Sequence, residues 1–337
     1  MALYLGNQKV SLRSGQDPTF DYGFDSNGRL VFANKNATEI NNFLNYDSSY
    51  SEILDLSNLS KMEKVAVNGT ADRKMEGLKG LLVSPYAPFT GSSPQINASY
   101  TGLNKSALVS LFESAPYNVG YTVVGSPTIV DGVVSGFSTD DYAYTTSNLT
   151  YTIDSNYADL EFVTRIKPDS LSSDTFALHY NTYSWISSGL GTNRSGKARF
   201  FIGRNSSRKD IAVIGTTSLN TSAFYYLKGV VKNNKAILLL SSDDQSWNEE
   251  GSVNLTGYTF NITGPVGIGK STSASGYIFN GSIDLNQTYI KVNGVPWFTG
   301  KPAMTKTCSI VGATGTADLT QEDKNIILNK CWSLTVQ

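Results

Sequence analysis

Residues 279–302 read FNGSIDLNQTYIKVNGVPWFTGKP. Strict alternation sends Ile283, Leu285, Gln287, Tyr289 and Lys291 to one side of a strand, and Asp284, Asn286, Thr288, Ile290 and Val292 to the other. The run therefore predicts a long strand late in a β-domain. Asp284 is its odd residue, an acid where an apolar one is expected. Working outward, the same style of sequence fills the chain back to Tyr121. YTVVGSPTIVDGVVSGF, YAYTTSNLTYTI, ADLEFVTRIKP, SDTFALHYN, SGKARFFIGR, DIAVIGTTSL, AFYYLKGVVKN, KAILLLSSD and GPVGIGK follow one another with Gly, Asn, Ser and Asp between them. About ten short strands with turn signals, and no long helix, predict a two-sheet β-sandwich.

Composition agrees. Only 16% of the 337 residues are charged, and Ser, Thr, Asn and Gly take their place beside 19 Tyr and 15 Phe. That mixture favours strands joined by polar turns. A net charge of −1 offers no strongly basic field for nucleic acid or an anionic membrane. No apolar run reaches the length of a membrane span, so no membrane insertion is expected. The start, MALYLGNQKVSLRSG, lacks the pattern of a signal peptide, which predicts synthesis in a cytoplasm. Cys308 and Cys331 have no metal-ligand spacing and read as two buried thiols, with a disulfide as the other option. The single histidine, His179, has no nucleophile context and reads as a surface or strand residue.

The first third is different. After an arm at 1–18, short apolar strands recur in EILDLSNLSKM, EKVAVNG, LKGLLVSPY and PQINASYTGL at intervals of about 13 to 17 residues, as in a small solenoid. TGLNKSALVSLFESAPY carries a helical stripe of Leu103, Ala107, Leu108, Leu111 and Phe112, with Pro116 to stop it. The C-terminal CSIVGATGTADLTQEDKNIILNKCWSLTV repeats this order of strand, TG and helix, with Thr320 and Asp323 at N-cap spacing. The expected layout is a discontinuous domain of 19–118 with 303–337, holding an inserted sandwich at 119–302.

LDLSNL resembles an irregular leucine-rich repeat. ADLEFVTRIKP, the hairpin YYLKGVVKNNKAILLLSSDD and the closing FNGSIDLNQTY resemble concanavalin A-like sandwiches of the laminin-G type. The fold expected is mainly β: a concanavalin A-like jelly-roll β-sandwich plus a small leucine-rich-repeat-like α/β solenoid. The whole arrangement resembles bacteriophage or prophage minor structural proteins of the tail-fibre kind. That resemblance implies a virion protein displaying a lectin-like domain for host-surface or glycan attachment. It also implies other virion proteins as partners through the N-terminal arm, and a homotrimer, although no heptad repeat supports one. The alternative is a purely structural spacer or head decoration protein without a carbohydrate ligand.

In related sandwiches the acid of the G-x-I-D strand contributes to a structural calcium. This makes Asp284, with carbonyls near Gly136, the candidate metal site. The competing reading has Asp284 only receiving hydrogen bonds from a neighbouring turn. No strand carries the E-x-D-x-x-E carboxylates of the glycan-hydrolysing relatives, so the chain is expected not to be an enzyme. Sugar binding needs aromatic platforms and polar partners, and residues 179–210 are rich in both. Tyr180, Tyr183 and Trp185, with Arg194 and Arg204 as donors, are the candidates. Each aromatic has sandwich core as its competing role. Trp247 reads as a loop plug or an exposed contact in a hairpin turn.

Overall fold

The structure, a computed structural model, describes residues 3–5, 8–10, 22–24, 30–32, 37–40, 52–90, 94–153, 159–182, 186–204, 210–258, 260–270 and 277–337. For 3–32 and some strand ends, the description is of the backbone alone. The chain divides into two compact units, residues 1–118 with 304–337, and residues 119–303. It is mainly β: a two-layer β-sandwich in one unit and a small solenoid-like stack of parallel strands with two helices in the other.

The solenoid stacks short parallel strands. One sheet runs in the order Trp332–Thr335, Lys306–Ser309, Ile96–Asn97, Lys64–Ala66 and Glu39–Ile40. Glu52–Leu56 pairs in parallel with Leu78–Val83. Each rung turns aliphatic side chains inward, so Leu54, Leu56, Val65, Val67, Leu81, Val83, Ile96, Cys308 and Ile310 form one core. No rung buries enough alone; stacking supplies the burial. Helix Lys105–Ser114 covers this core with Leu108, Leu111 and Phe112, and Asn104 caps it by accepting from the Ala107 N–H at 2.9 Å. Helix Gln321–Leu328 starts with a full capping box between Thr320 and Asp323, as their spacing predicts. Both cysteines are free, and burial pushes the Cys308 thiol up to about 12. Leu3–Leu5 pairs antiparallel with Gln8–Val10.

Lys330 closes the end of the first helix. Its Nζ donates to the carbonyls of Glu113 and Ala115 at 2.6 Å each and lies 5.3 Å from the Tyr117 ring centre. These are C-terminal helix carbonyls without an intrahelical partner, and the ammonium also suits the negative end of the helix dipole. Lys330→Met keeps the stem but removes the donors. It should lower stability by about 1–3 kcal/mol in chemical denaturation; an unchanged midpoint would show that water replaces the ammonium at no cost.

In the sandwich, Leu149–Ile153 pairs separately with Phe260–Gly264, and hydrogen bonding links most strands into one sheet that folds back on itself. The order is Asp210–Ser218, Lys197–Arg204, Ile186–Thr192, Thr175–Thr182, Val266–Ile268, Tyr142–Thr145, Val119–Val124, Val295–Pro302, Gly281–Val292, Leu160–Pro168, Tyr225–Lys232, Lys235–Ser241 and Asn248–Asn254. The one parallel pairing along this order is Val119–Val124 with Val295–Pro302. The two ends then stack. Asp210–Ser218 lies against Asn248–Asn254, and Ile186–Thr192 lies against Leu160–Pro168 and Tyr225–Lys232. The Phe162 and Phe200 rings meet with centres 6.2 Å apart, and Leu160, Phe162, Ile166, Leu227, Val231 and Leu238 of one layer and Ala198, Phe200 and Ile202 of the other are buried. Their alternate neighbours face outward, which is the pattern of strands with one buried face.

The Gly281–Val292 strand departs from simple alternation. Ile283 and Asp284 stand opposite Ile166 and Arg165, but Tyr289, Ile290 and Lys291 stand opposite Val163, Phe162 and Glu161. The ladder breaks between Val163 and Arg165, where a bulge takes up Leu285–Thr288. Thr288 Oγ1 donates back to the Asp284 carbonyl at 2.7 Å and sits 3.1 Å from Thr164 Oγ1. Gly300, with φ +65°, lies so close that a Cβ there would be 1.8 Å from the Leu285 carbonyl oxygen. The bulge switches the phase of the strand. Tyr289 and Lys291 therefore share the outer face with Asp284, where strict alternation had set them on the opposite side.

Candidate functional site

The outer face of this layer is built by position. Glu161, Val163 and Arg165 are alternate residues of Leu160–Pro168. Opposite them on one side stand Lys291, Tyr289 and Asp284, and on the other Val230, Lys228 and Tyr226. Trp247, just before Asn248–Asn254, folds over the same face: its ring centre is 6.4 Å from that of Tyr226, at 75°. Arg165, Tyr226, Lys228, Trp247, Tyr289 and Lys291 are all half-buried.

Three cations on the face rest on aromatic rings. The Arg165 guanidinium is 4.3 Å from the centre of Phe224 and 5.4 Å from that of Tyr226. Lys228 Nζ is 3.8 Å from Trp247, and Lys291 Nζ is 4.7 Å from Tyr289. Two of the three cations are also ion-paired, Arg165 with Asp284 at 2.8 Å and Lys291 with Glu161 at 3.3 Å. Burial, and then the charge of Glu161 and its hydrogen bond with the Tyr289 side chain, raise the Tyr289 phenol well above its ordinary range; Asp244 adds to this. The row thus combines ring faces, fixed donors and acceptors, and side chains held in place by their neighbours. It can stack on the C–H face of a pyranose and bond its hydroxyls.

Asp284 does not fit the calcium role. It is buried, its Oδ2 receives Arg165 and its Oδ1 accepts the Asn286 N–H at 3.0 Å. Both oxygens are committed, and the guanidinium beside them would repel a cation. Gly136 does follow the strand Val133–Ser135, whose Val133 stands opposite Asp284. The nearest atoms to a Cβ at Gly136 would nevertheless be the Thr128 backbone nitrogen at 3.9 Å and the Thr128 Oγ1 at 4.0 Å. Among the described residues no group of three His, Cys, Asp or Glu could hold a metal ion.

The aromatic candidates are placed elsewhere. Tyr180 is on Thr175–Thr182, in the other layer, and is fully buried, with its hydroxyl accepting the Thr263 N–H. It is core, and a ring without exposed surface cannot stack on a sugar. Tyr183 and Trp185 lie outside the described residues. Arg194 is exposed in the turn before Lys197–Arg204, its N–H bonded to Asp174 Oδ1 at 2.9 Å. Arg204 ends that strand, and its side chain lies outside the described residues. His179, in the same layer as Tyr180, is a buried strand residue and not a surface one. Its ring centre is 4.3 Å from Phe176, and burial together with Arg199 lowers its pKa to about 3. The residues of the outer face that sequence reasoning missed are Arg165, Tyr226, Lys228 and Tyr289. Their signal was alternation within EFVTRIKP and YYLKGVVK, which marks an outer face without saying which strands adjoin.

No family model and no curated protein matches the chain. Solved structures give low-identity likenesses. The Ruminococcus gnavus IT-sialidase CBM40 bound to alpha2,3 sialyllactose is 11% identical, with a TM-score of 0.34 over 48% of this chain and 90% of that one. Domain 4 of AbnA, a GH43 extracellular arabinanase from Geobacillus stearothermophilus, in complex with arabinotriose, is 13% identical, with a TM-score of 0.36 over 49% and 79%. Mouse laminin alpha1 chain domains LG4-5 are 16% identical, with a TM-score of 0.35 over 54% and 47%.

Proposed function

We propose that the sandwich is a glycan-binding module and that the protein is a phage virion component, a tail fibre or similar appendage, that displays it to a host surface. The observation that supports binding is the half-buried row of Trp247, Tyr226 and Tyr289 with Arg165, Lys228 and Lys291 on one outer face. Ring faces beside fixed polar groups suit a sugar better than they suit a smooth protein–protein contact. The reading is of a binder and not an enzyme, because the acids opposite Arg165 and Lys291 are taken up in ion pairs and neither stands ready as nucleophile or proton donor. The virion placement, the partners through the N-terminal arm and a trimer rest on the resemblance of the repeat-plus-sandwich arrangement.

The test is binding of the full chain to immobilised envelope glycans and bacterial surfaces, with Trp247→Ala alongside. Saturable binding should appear and fall about ten-fold in the variant, the share that one stacking residue commonly carries. The melting temperature of the variant should change little, since Trp247 covers a face and not the core. Absence of saturable binding by the folded protein would favour the spacer or decoration reading.

A further inference from the structure

We infer that the ligand carries an acidic group, a carboxylate or a phosphate, and that Lys228 receives it; this rests on the glycan-binding reading above. Three cations of the row lie against aromatic rings, and two of these are neutralised by carboxylates across the strand. Among the described residues Lys228 has no ion-pair partner. Its Nζ lies 3.8 Å from the centre of the Trp247 indole, and its stem is half-buried between Val163 and Leu239 on the adjoining strands. An ammonium held against an indole is partly stripped of water, and one more anion there gains more than it would at an exposed lysine.

The acids nearest the row are Asp284, Glu161, Asp244 and Glu249; Asp159, just before Leu160–Pro168, pairs with Lys232. Asp284 and Glu161 are taken up by Arg165 and Lys291. Asp244 bears on Tyr289. Glu249 stands opposite Leu239 on the next strand and is exposed. None of them forms an ion pair with Lys228 among the described residues. The ammonium lies over the indole ring, 3.8 Å from its centre, so an acidic substituent of a sugar held at Trp247 would come within reach of Nζ. A carboxylate or phosphate at that substituent would pair with the one ring-held cation of the row that has no carboxylate partner among the described residues.

The experiment measures binding of the full chain to polygalacturonate, poly(glycerol phosphate) and dextran, at low and at near-molar salt, with Lys228→Gln and Lys228→Arg. One or both acidic polymers should bind well above dextran, and which of them binds separates carboxylate from phosphate. Affinity should fall about ten-fold or more at high salt, because a partly exposed ion pair is screened. Lys228→Gln should lose about ten-fold on the acidic polymer, and Lys228→Arg should restore most of it, since the charge is kept. Dextran binding equal to that of the acidic polymers and unaffected by Lys228→Gln would overturn the acidic ligand and leave the glycan reading standing. Acidic-polymer binding that survives Lys228→Gln would overturn the assignment to Lys228. Failure to bind any polymer, with Trp247→Ala indistinguishable from the parent, would remove both.

Discussion

Gly229→Ala should lower the melting temperature of the sandwich by roughly 5–10 °C, the shift that ~2–3 kcal/mol of overpacking causes in a domain of this size. Gly229 lies mid-strand on Tyr225–Lys232, under the Phe200 ring of the facing layer. A Cβ at this position would be 2.6, 2.7 and 2.8 Å from three ring atoms of Phe200. The ring cannot step aside: Phe200 is fully buried and its centre is 6.2 Å from that of Phe162, itself fully buried. The direction of the effect is informative because the backbone at Gly229 is not in the left-handed region. At such a site, Gly→Ala without a clash would stabilise by restricting the unfolded chain. A measured loss therefore reports the approach of the two layers. The second arm is Phe200→Leu, which alone should cost stability by leaving a cavity. Combined with Gly229→Ala it should cost less than the sum, since the smaller side chain makes room. Strict additivity, or a Gly229→Ala protein as stable as the parent, would mean that Phe200 does not pack on Gly229.

The same strands show what could be read in the sequence. Alternation in LEFVTRIKP, YYLKGVVK and KAILLLS was legible because water covers one face and the opposing layer the other, so the chemistry of successive residues separates. The rungs of the solenoid were legible for a similar reason: each repeats the apolar strand and the turn, as in EILDLSNL and LKGLLVSPY. The phase change in GSIDLNQTYIKV was not legible. It depends on a bulge whose partners, Thr164 and Gly300, come from neighbouring strands. Losing that phase hid the proximity of Tyr289, Lys291 and Asp284. Asp284 was recognised as odd, yet its partner Arg165 lies 119 residues away in sequence, and only the strand pairing reveals it. Tyr180 failed for another reason. HYNTYSW is as rich in aromatic and polar residues as a binding loop, but a tyrosine with one backbone partner is also a good core residue. Composition does not separate the two roles; burial does.

Glu250→Ala should destabilise the sandwich by about 3–5 kcal/mol, the cost of removing one partner from a buried, charged hydrogen-bond cluster. Glu250 lies on Asn248–Asn254, the last strand of the folded sheet, and is only 6% exposed. Its Oε2 accepts the N–H groups of Thr216 and Thr217 at 2.7 Å each and the Thr216 hydroxyl at 3.0 Å, while Oε1 accepts the Thr217 hydroxyl at 2.7 Å. Thr216 and Thr217 belong to Asp210–Ser218, the first strand of the same folded sheet, so one carboxylate fastens the two outermost strands where they stack. Alanine leaves two backbone donors facing an emptied site. Glu250→Gln keeps the shape but replaces one acceptor oxygen with a donor, so its loss should be smaller. The carboxylate also makes the fastening depend on pH. Burial raises the pKa of Glu250, but the hydrogen bonds from Thr217 and Thr216 outweigh it, and the net shift is below the ordinary glutamate value. A carboxyl whose folded pKa is depressed binds more protons in the unfolded chain. Its contribution is therefore complete above the unfolded value near 4.5 and is lost as pH falls through the lower folded value. Denaturant midpoints measured from pH 7 down to pH 3 should fall for the parent and fall less for Glu250→Gln, which has no proton to take up at this position. Parallel curves for the two proteins would place the acid sensitivity on other carboxylates, and a Glu250→Ala protein with an unshifted midpoint would mean that the edges of the sandwich close without this group.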